Sequence, residues 1–324
     1  MTVPSLSVGV PLHGHRGRAD RVGDGVLLVL TALASLTVIA TIGAIGYKLI
    51  DGASPSLSHF GIAFLGHNIW NPPTDVYGAG AFIYGTVVTS ALALLFAFPI
   101  GIAIGLFLSL LAPRRTGAVI GPLVELLAAI PSVVLGLWGI IILAPVMRDQ
   151  IEPAVHAVLG WIPIFGAPSL TGLGVFTASV VLTIMVVPII ASISRELFQS
   201  VPGDLKDGAL ALGATRWEMV RGVVLSSTRP GLAAAAILWL SRALGEAIAV
   251  AQVIGSINLI HGNLFDTGNT IAANVAIQFP NANTKLQISS LFYLAVILLA
   301  LGLLVNLAAQ LIVRRYSLTQ QGAR

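Results

Sequence analysis

Cysteine is missing from the chain altogether, which excludes a disulfide framework, thiolate metal sites and cysteine nucleophiles. Charge is scarce: Asp, Glu, Lys and Arg make up 9% of 324 residues, against about a quarter in an ordinary soluble domain. Lysine occurs only at Lys48, Lys206 and Lys285, and none of them completes a G-x-x-x-x-G-K-[ST] run, so a P-loop nucleotide site is excluded. H-E-x-x-H and G-x-S-x-G are absent as well, and no histidine falls in a long apolar stretch to serve as a buried base. His59, His67, His156 and His261 sit in polar connections. His13 and His15 form at most a weak metal pair in a solvated tail. No cofactor, metal or catalytic residue is expected, and the chain reads as a non-enzyme.

What fills the space is hydrocarbon. Hydrophobic residues make up 56% of the chain and the mean hydropathy is +0.94. A bilayer-crossing helix needs about 20 apolar residues. Six stretches qualify, roughly Val26–Tyr47, Phe82–Leu111, Ala118–Met147, Leu170–Ile193, Gly231–Gly255 and Gln287–Val313. The expected class is an all-α integral membrane protein with six transmembrane helices. Pro99, Pro122, Pro131 and Pro145 predict kinks. Residues 1–25 read as a disordered tail, 26–313 as the membrane domain and 314–324 as a second tail. No cleavage site follows Tyr47, so the first helix is expected to be retained.

The connections sort by charge. One alternating set holds thirteen of the 17 basic residues, among them Arg114, Arg195, Arg216 and Arg314; the other holds Lys48, Arg148 and Lys285. The positive-inside rule then places both termini and the long 201–230 loop in the cytoplasm. Topology accounts for the net charge of +4, and nucleic acid is not an expected partner. The opposite loops carry Trp70, Tyr77 and Trp161, read either as a headgroup-level aromatic belt or as a docking surface for an external partner.

The 201–230 loop breaks into two short helices. Asp204, after Pro-Gly, can cap the first, and Gly213 ends it. Thr215 and Glu218 form a capping-box pattern that opens the second. Arg229-Pro-Gly is read as the end of the segment before the fifth span. A helix-turn-helix for DNA has the same outline, but both ends enter apolar spans within a few residues. The remaining readings are an amphipathic connector on the inner leaflet and a knob for a cytoplasmic partner. Small residues at Gly208, Ala209, Gly213 and Ala214 allow close approach.

The fifth span carries Arg242 and Glu246 near its centre. A central arginine costs about 2.5–3.5 kcal/mol and the acid a comparable amount, while the aliphatics of the segment return roughly 3–5 kcal/mol. This stripe therefore faces protein or water. On a helix, positions i and i+4 share a face, so a self-neutralising pair is one reading and a charged substrate path the other. Glu125 falls in the first turn of a helix expected to open at Gly121-Pro122, where the dipole favours an acid. Gly101 and Gly105 form a small-xxx-small packing face.

The stretch "LKDGALALGATRWEMVRGVVL" resembles the EAA loop of ABC importer permeases, with Asp207, Gly208, Ala209 and Gly213 in the matching positions. Aspartate stands where glutamate is usual, and Ser226 where a proline often follows. "FIYGTVVTS", "ELLAAIPSVVLGLWG", "SRALGEAIAV" and "GNTIAANVA" together resemble the PstC-type phosphate permease. This resemblance implies a type I ABC importer fold and a coupling loop seated on an ATPase, with Asp204, Asp207, Gly208, Ala209, Gly213, Thr215 and Glu218 on that loop. It also implies Arg242 and Glu246 on the substrate path of an inorganic phosphate importer in the bacterial cytoplasmic membrane. The partners implied are a second permease of PstA type, a PstB-type ATPase dimer and an external PstS-type phosphate-binding protein. The residues alone leave open an ion-coupled secondary anion transporter, a permease for another oxyanion, and a scaffold without transport.

Overall fold

The computed structural model describes residues 18–321 and is helical throughout, without a named strand among them. The helices are α1 (Arg18–Phe60), α2 (Gly80–Leu111), α3 (Arg114–Ala128), α4 (Ser132–Leu159), α5 (Val175–Gln199), α6 (Gly203–Ala211), α7 (Arg216–Leu244), α8 (Ile248–Val253), α9 (Ile271–Gln278) and α10 (Lys285–Gln321). Six of them are long and apolar enough to cross a membrane. The helical stretches of α2, α4 and α7 each contain π turns, for example Phe107–Leu111, Gly139–Leu143 and Val220–Val224.

Two compact units divide the chain, residues 1–51 and 52–324. Within the first, the described residues are the α1 helix, whose apolar side chains from Val22 to Ile50 are almost all exposed. Helix here begins at Arg18, so residues 18–25 of the expected tail are helical; residues 1–17, including His13 and His15, lie outside the described residues. Residues 314–321 likewise continue α10, and 322–324 lie outside.

In the second unit α5 is the axis. Val175, Ala178, Val181, Leu182, Val186, Ile190 and Phe198 are buried along it, and α2, α3, α7 and α8 pack against it. Buried hydroxyls in its first half are satisfied locally: that of Ser179 donates to the Val175 carbonyl at 2.8 Å and that of Thr183 to the Ser179 carbonyl at 2.7 Å, the way hydroxyls are accommodated where no water is available, whereas buried Ser194 Oγ has no partner among the described residues. The α2–α5 seam is close because Gly101 and Gly105 are bare. A Cβ on Gly101 would stand 2.6 Å from Cγ2 of Ile190, and one on Gly105 2.7 Å from Cβ of Ser194. The glycine pair thus performs the packing role its spacing predicts.

Five expectations are corrected. The third span does not start at Ala118. Ala129–Pro131 interrupts the helix, because a proline disfavours helical backbone at the residue before it, and the span is Ser132–Leu159. The fifth span runs from Arg216 to Leu244 rather than from Gly231 to Gly255. Arg229 and Pro230 do not end a segment but lie inside α7, where buried Val224, Thr228, Leu232, Ala235 and Trp239 keep one continuous face against the core. Glu125 is near the end of α3, not in a first turn. There the dipole disfavours it, and Arg195 of α5 stands 3.6 Å away in compensation. Asp204 is the second residue of α6 and caps nothing; Pro202, already extended at ψ 137°, precedes the helix without a side-chain cap.

Candidate functional site

Two interrupted helices meet at the centre of the second unit. One interruption is Ala129–Pro131, between α3 and α4; the other is Gly245–Ala247, between α7 and α8. They are brought together by the glycines of "IPSVVLGLWG". On Gly136 a Cβ would lie 2.9 Å from Cα of Ala249, and on Gly139 one would lie 2.7 Å from Cγ1 of Val253. Bare backbone there lets α8 lie directly on α4, which fixes the distance between the breaks.

Between them is a cavity of about 270 Å³, lined by Ala129–Ser132, by Leu182, Met185, Val186 and Ile189, and by Trp239, Arg242, Ala243 and Glu246. That volume is just under the range usual for small-molecule pockets, about 300–1,000 Å³, and suits a small solute. The wall from Leu182 to Ile189 is the middle of the 25-residue α5. At about 1.5 Å per residue the cavity lies some 10–20 Å from the start of that span and about 15–25 Å from its end, in the middle of its length.

Arg242 and Glu246 both line the cavity, but not as an i, i+4 pair on one helix. Leu244 is the last residue of α7; Gly245 donates to the Arg242 carbonyl at 3.1 Å and Glu246 to that of Ala243 at 3.3 Å, a closing turn that carries Glu246 off the helical face. No ion pair between the two occurs among the described residues. The Arg242 guanidinium lies 5.8 Å from the centre of the Trp239 ring, and its side chain is exposed while Glu246 is half-buried. A cation and an acid therefore share one mid-depth cavity without neutralising each other. Trp239 and Ser132 line the same cavity from different helices and were not singled out from sequence; the one sequence signal nearby is Pro131, a helix breaker inside an apolar run, which by itself predicts only a kink.

The 201–230 loop is a second, separate surface. Asp204, Asp207, Gly208, Gly213, Thr215 and Glu218 are exposed and Ala209 half-buried. The capping box is complete: Glu218 N–H donates to Thr215 Oγ1 at 3.3 Å, and Thr215 N–H donates to the Glu218 carboxylate at 2.8 Å. Gly213 turns the chain at φ +88° with open space around it. The loop is anchored from beneath by Phe198, Val201, Met219 and Val220 and by Lys206 Nζ donating to the Phe198 carbonyl at 3.0 Å. Leu212 and Trp217 stand out from it, 92% and 64% exposed.

On the opposite side, two of the quoted stretches pack on each other. The backbone of Asn269 rests against Gly85, Ile271 N–H donates to Thr86 Oγ1 at 2.9 Å, and Thr270 caps α9 by accepting from Ala273 N–H at 3.2 Å.

Residues 97–318 match the family described as the binding-protein-dependent transport system inner membrane component. The chain is 40% identical over 305 residues to the "Phosphate transport system permease protein PstC" of Mesorhizobium japonicum, covering 93% of this chain and 91% of that protein. It is 35% identical over 313 residues to "Phosphate transport system permease protein PstC 1" of Mycobacterium tuberculosis, covering 92% of each. Among solved structures, one chain of a bacterial alginate ABC transporter superposes with TM-score 0.59 at 16% identity, over 89% of this chain and 94% of that one. A chain of the MetNI methionine ABC transporter gives 0.53 at 23%, over 72% and 94%. The likeness to solved structures shows the fold. Together with the relatives, it makes the chain a multi-pass membrane protein that belongs to the family of binding-protein-dependent transport system inner membrane components.

Proposed function

We propose that the chain is the permease subunit of an ATP-driven inorganic phosphate importer and supplies half of the translocation path. The observation that carries this reading is the mid-depth cavity in which Arg242 and Glu246 stand together without an ion pair. A guanidinium binds phosphate oxygens through paired hydrogen bonds. A carboxylate can accept a hydrogen bond from protonated phosphate, which a fully deprotonated oxyanion such as sulfate cannot give, and its charge keeps the anion from being held too tightly to leave. The names of the relatives supply phosphate as the substrate class.

The remaining parts follow from the same reading. Arg242 lines the cavity yet is exposed in the chain by itself, and a guanidinium at that depth requires cover other than lipid; a second permease, of PstA type, provides it. The exposed 201–230 loop offers Asp204, Asp207, Gly208, Ala209, Gly213, Thr215 and Glu218 to a PstB-type ATPase, on the cytoplasmic side with both termini. A PstS-type binding protein delivers phosphate from outside. ATP-driven closure moves α6 and the start of α7, and because α7 runs from Arg216 to Leu244 without a break, through the π turn at Val220–Val224 and past Pro230, the movement reaches Arg242 within a single helix.

The test is uptake of radiolabelled phosphate by cells whose only copy of the chain carries Arg242→Gln. Uptake is expected to fall by at least tenfold at parental membrane abundance. Parental uptake would remove Arg242 from the path, and transport by the purified chain alone, driven by an ion gradient, would favour the secondary-transporter reading.

A further inference from the structure

The cavity has a second polar wall opposite Arg242. Ser132 is the first residue of α4, a helical run of 28 residues. Pro131 precedes it and gives no side-chain cap, and the first intrahelical bond is Val134 N–H to the Pro131 carbonyl at 3.0 Å. The N–H groups of Ser132 and Val133 and the Ser132 hydroxyl make no hydrogen bond within the chain among the described residues. These are the donors a helix start directs at an anion, with the dipole acting in the same sense. An independent observation lies on the Arg242 side of the same cavity. Trp239 lines the cavity, is 92% buried by its 8% exposure, and its indole Nε1–H has no partner. A buried donor left unpaired carries a desolvation cost, which an oxyanion oxygen brought against it relieves.

The geometry points to a two-sided clamp: a tetrahedral oxyanion in this cavity is held by Arg242 on one side and by the amino-terminal end of α4 on the other, with Ser132 and Trp239 as further substrate donors. This rests on the reading of Arg242 as the anion's partner. The helix end supplies donors fixed in direction and half a charge that cannot be titrated, so it orients the anion while Glu246 selects its protonation state. It also gives Pro131 a function, since the break it makes is what exposes the helix start to the cavity.

Ser132→Pro tests the clamp directly. Proline is suited to the first helical position, and Pro131 already has the extended ψ of 137° that a following proline requires. The substitution therefore removes the N–H and the hydroxyl while keeping the helix. Radiolabelled phosphate uptake in cells, at parental membrane abundance, is expected to fall roughly tenfold, the effect of losing one or two hydrogen bonds to a charged group. Ser132→Ala, which keeps the N–H, and Trp239→Phe, which removes only the indole donor, are each expected to lose a few-fold. Parental uptake in Ser132→Pro and Trp239→Phe, with uptake lost in Arg242→Gln, overturns the clamp and leaves the Arg242 reading standing. Parental uptake in Arg242→Gln as well sinks both. If Ser132→Pro does not reach the membrane, the decision passes to the other two variants, and parental uptake in both overturns the clamp.

Discussion

Gly213 holds φ at +88° with nothing within 4 Å of where a Cβ would stand. An L side chain there meets no neighbour but does meet backbone strain, about 1–2 kcal/mol. The turn it makes sets the angle between α6 and the capping box of Thr215 and Glu218. Gly213→Val is therefore expected to leave membrane abundance near parental while cutting recovery of a co-purifying ATPase several-fold; recovery at the parental level would show that the turn is not part of that contact. Arg242 and Glu246 teach a related lesson about what residues reveal. Their presence near mid-depth was legible from transfer costs alone. Their relation to each other was not, because spacing describes partners only while the helix lasts, and Gly245 adopts an ordinary φ of −90° that no residue preference announces. Ser132 and Trp239 were hidden for a similar reason: a serine after a proline and a tryptophan in an apolar run acquire meaning only once the chain break places them on one cavity.

Six spans were legible because hydropathy integrates over some twenty residues and tolerates error at the ends. Breaks are local and invisible to such a sum, so the third and fifth spans were displaced by ten residues or more. Pro131 broke its helix and Pro230 did not. Val224, Thr228 and Leu232 around the second are buried against the core while Leu127 and Val133 around the first are exposed, but exposure alone does not decide it, since Pro122 sits unbroken in α3 beside exposed Val119 and Leu123. The α2–α5 seam was the most predictable contact, since Gly101 and Gly105 leave a groove that only a close helix fills. Gly105→Leu drives a side chain into Ser194 and Arg195 and is expected to cost about 1–3 kcal/mol, as overpacking does. A lower midpoint in thermal unfolding of the detergent-solubilised protein, or reduced membrane abundance, would register it; an unchanged midpoint would mean that the seam yields.

At the scale of the molecule, the proposed function makes the chain one half of a larger object. Its axis is well packed, yet the end of α7 leaves Leu238, Arg242 and Gly245 exposed. Hydrocarbon is a poor neighbour for that face, and the reading of Arg242 given above requires another polypeptide to complete it. The chain made alone then carries a visible flag of its solitude, of the kind by which membrane quality control recognises unassembled subunits. Its half-life in a pulse-chase without the companion permease is expected to be several-fold shorter than in its presence, and Arg242→Leu is expected to restore much of the difference while abolishing transport. Equal lifetimes for the lone parental chain and the lone variant would argue against it. One guanidinium would thus serve twice, first as a mark of incompleteness during biogenesis and afterwards as the seat of the cargo, so that stoichiometry is policed by the same group that does the work.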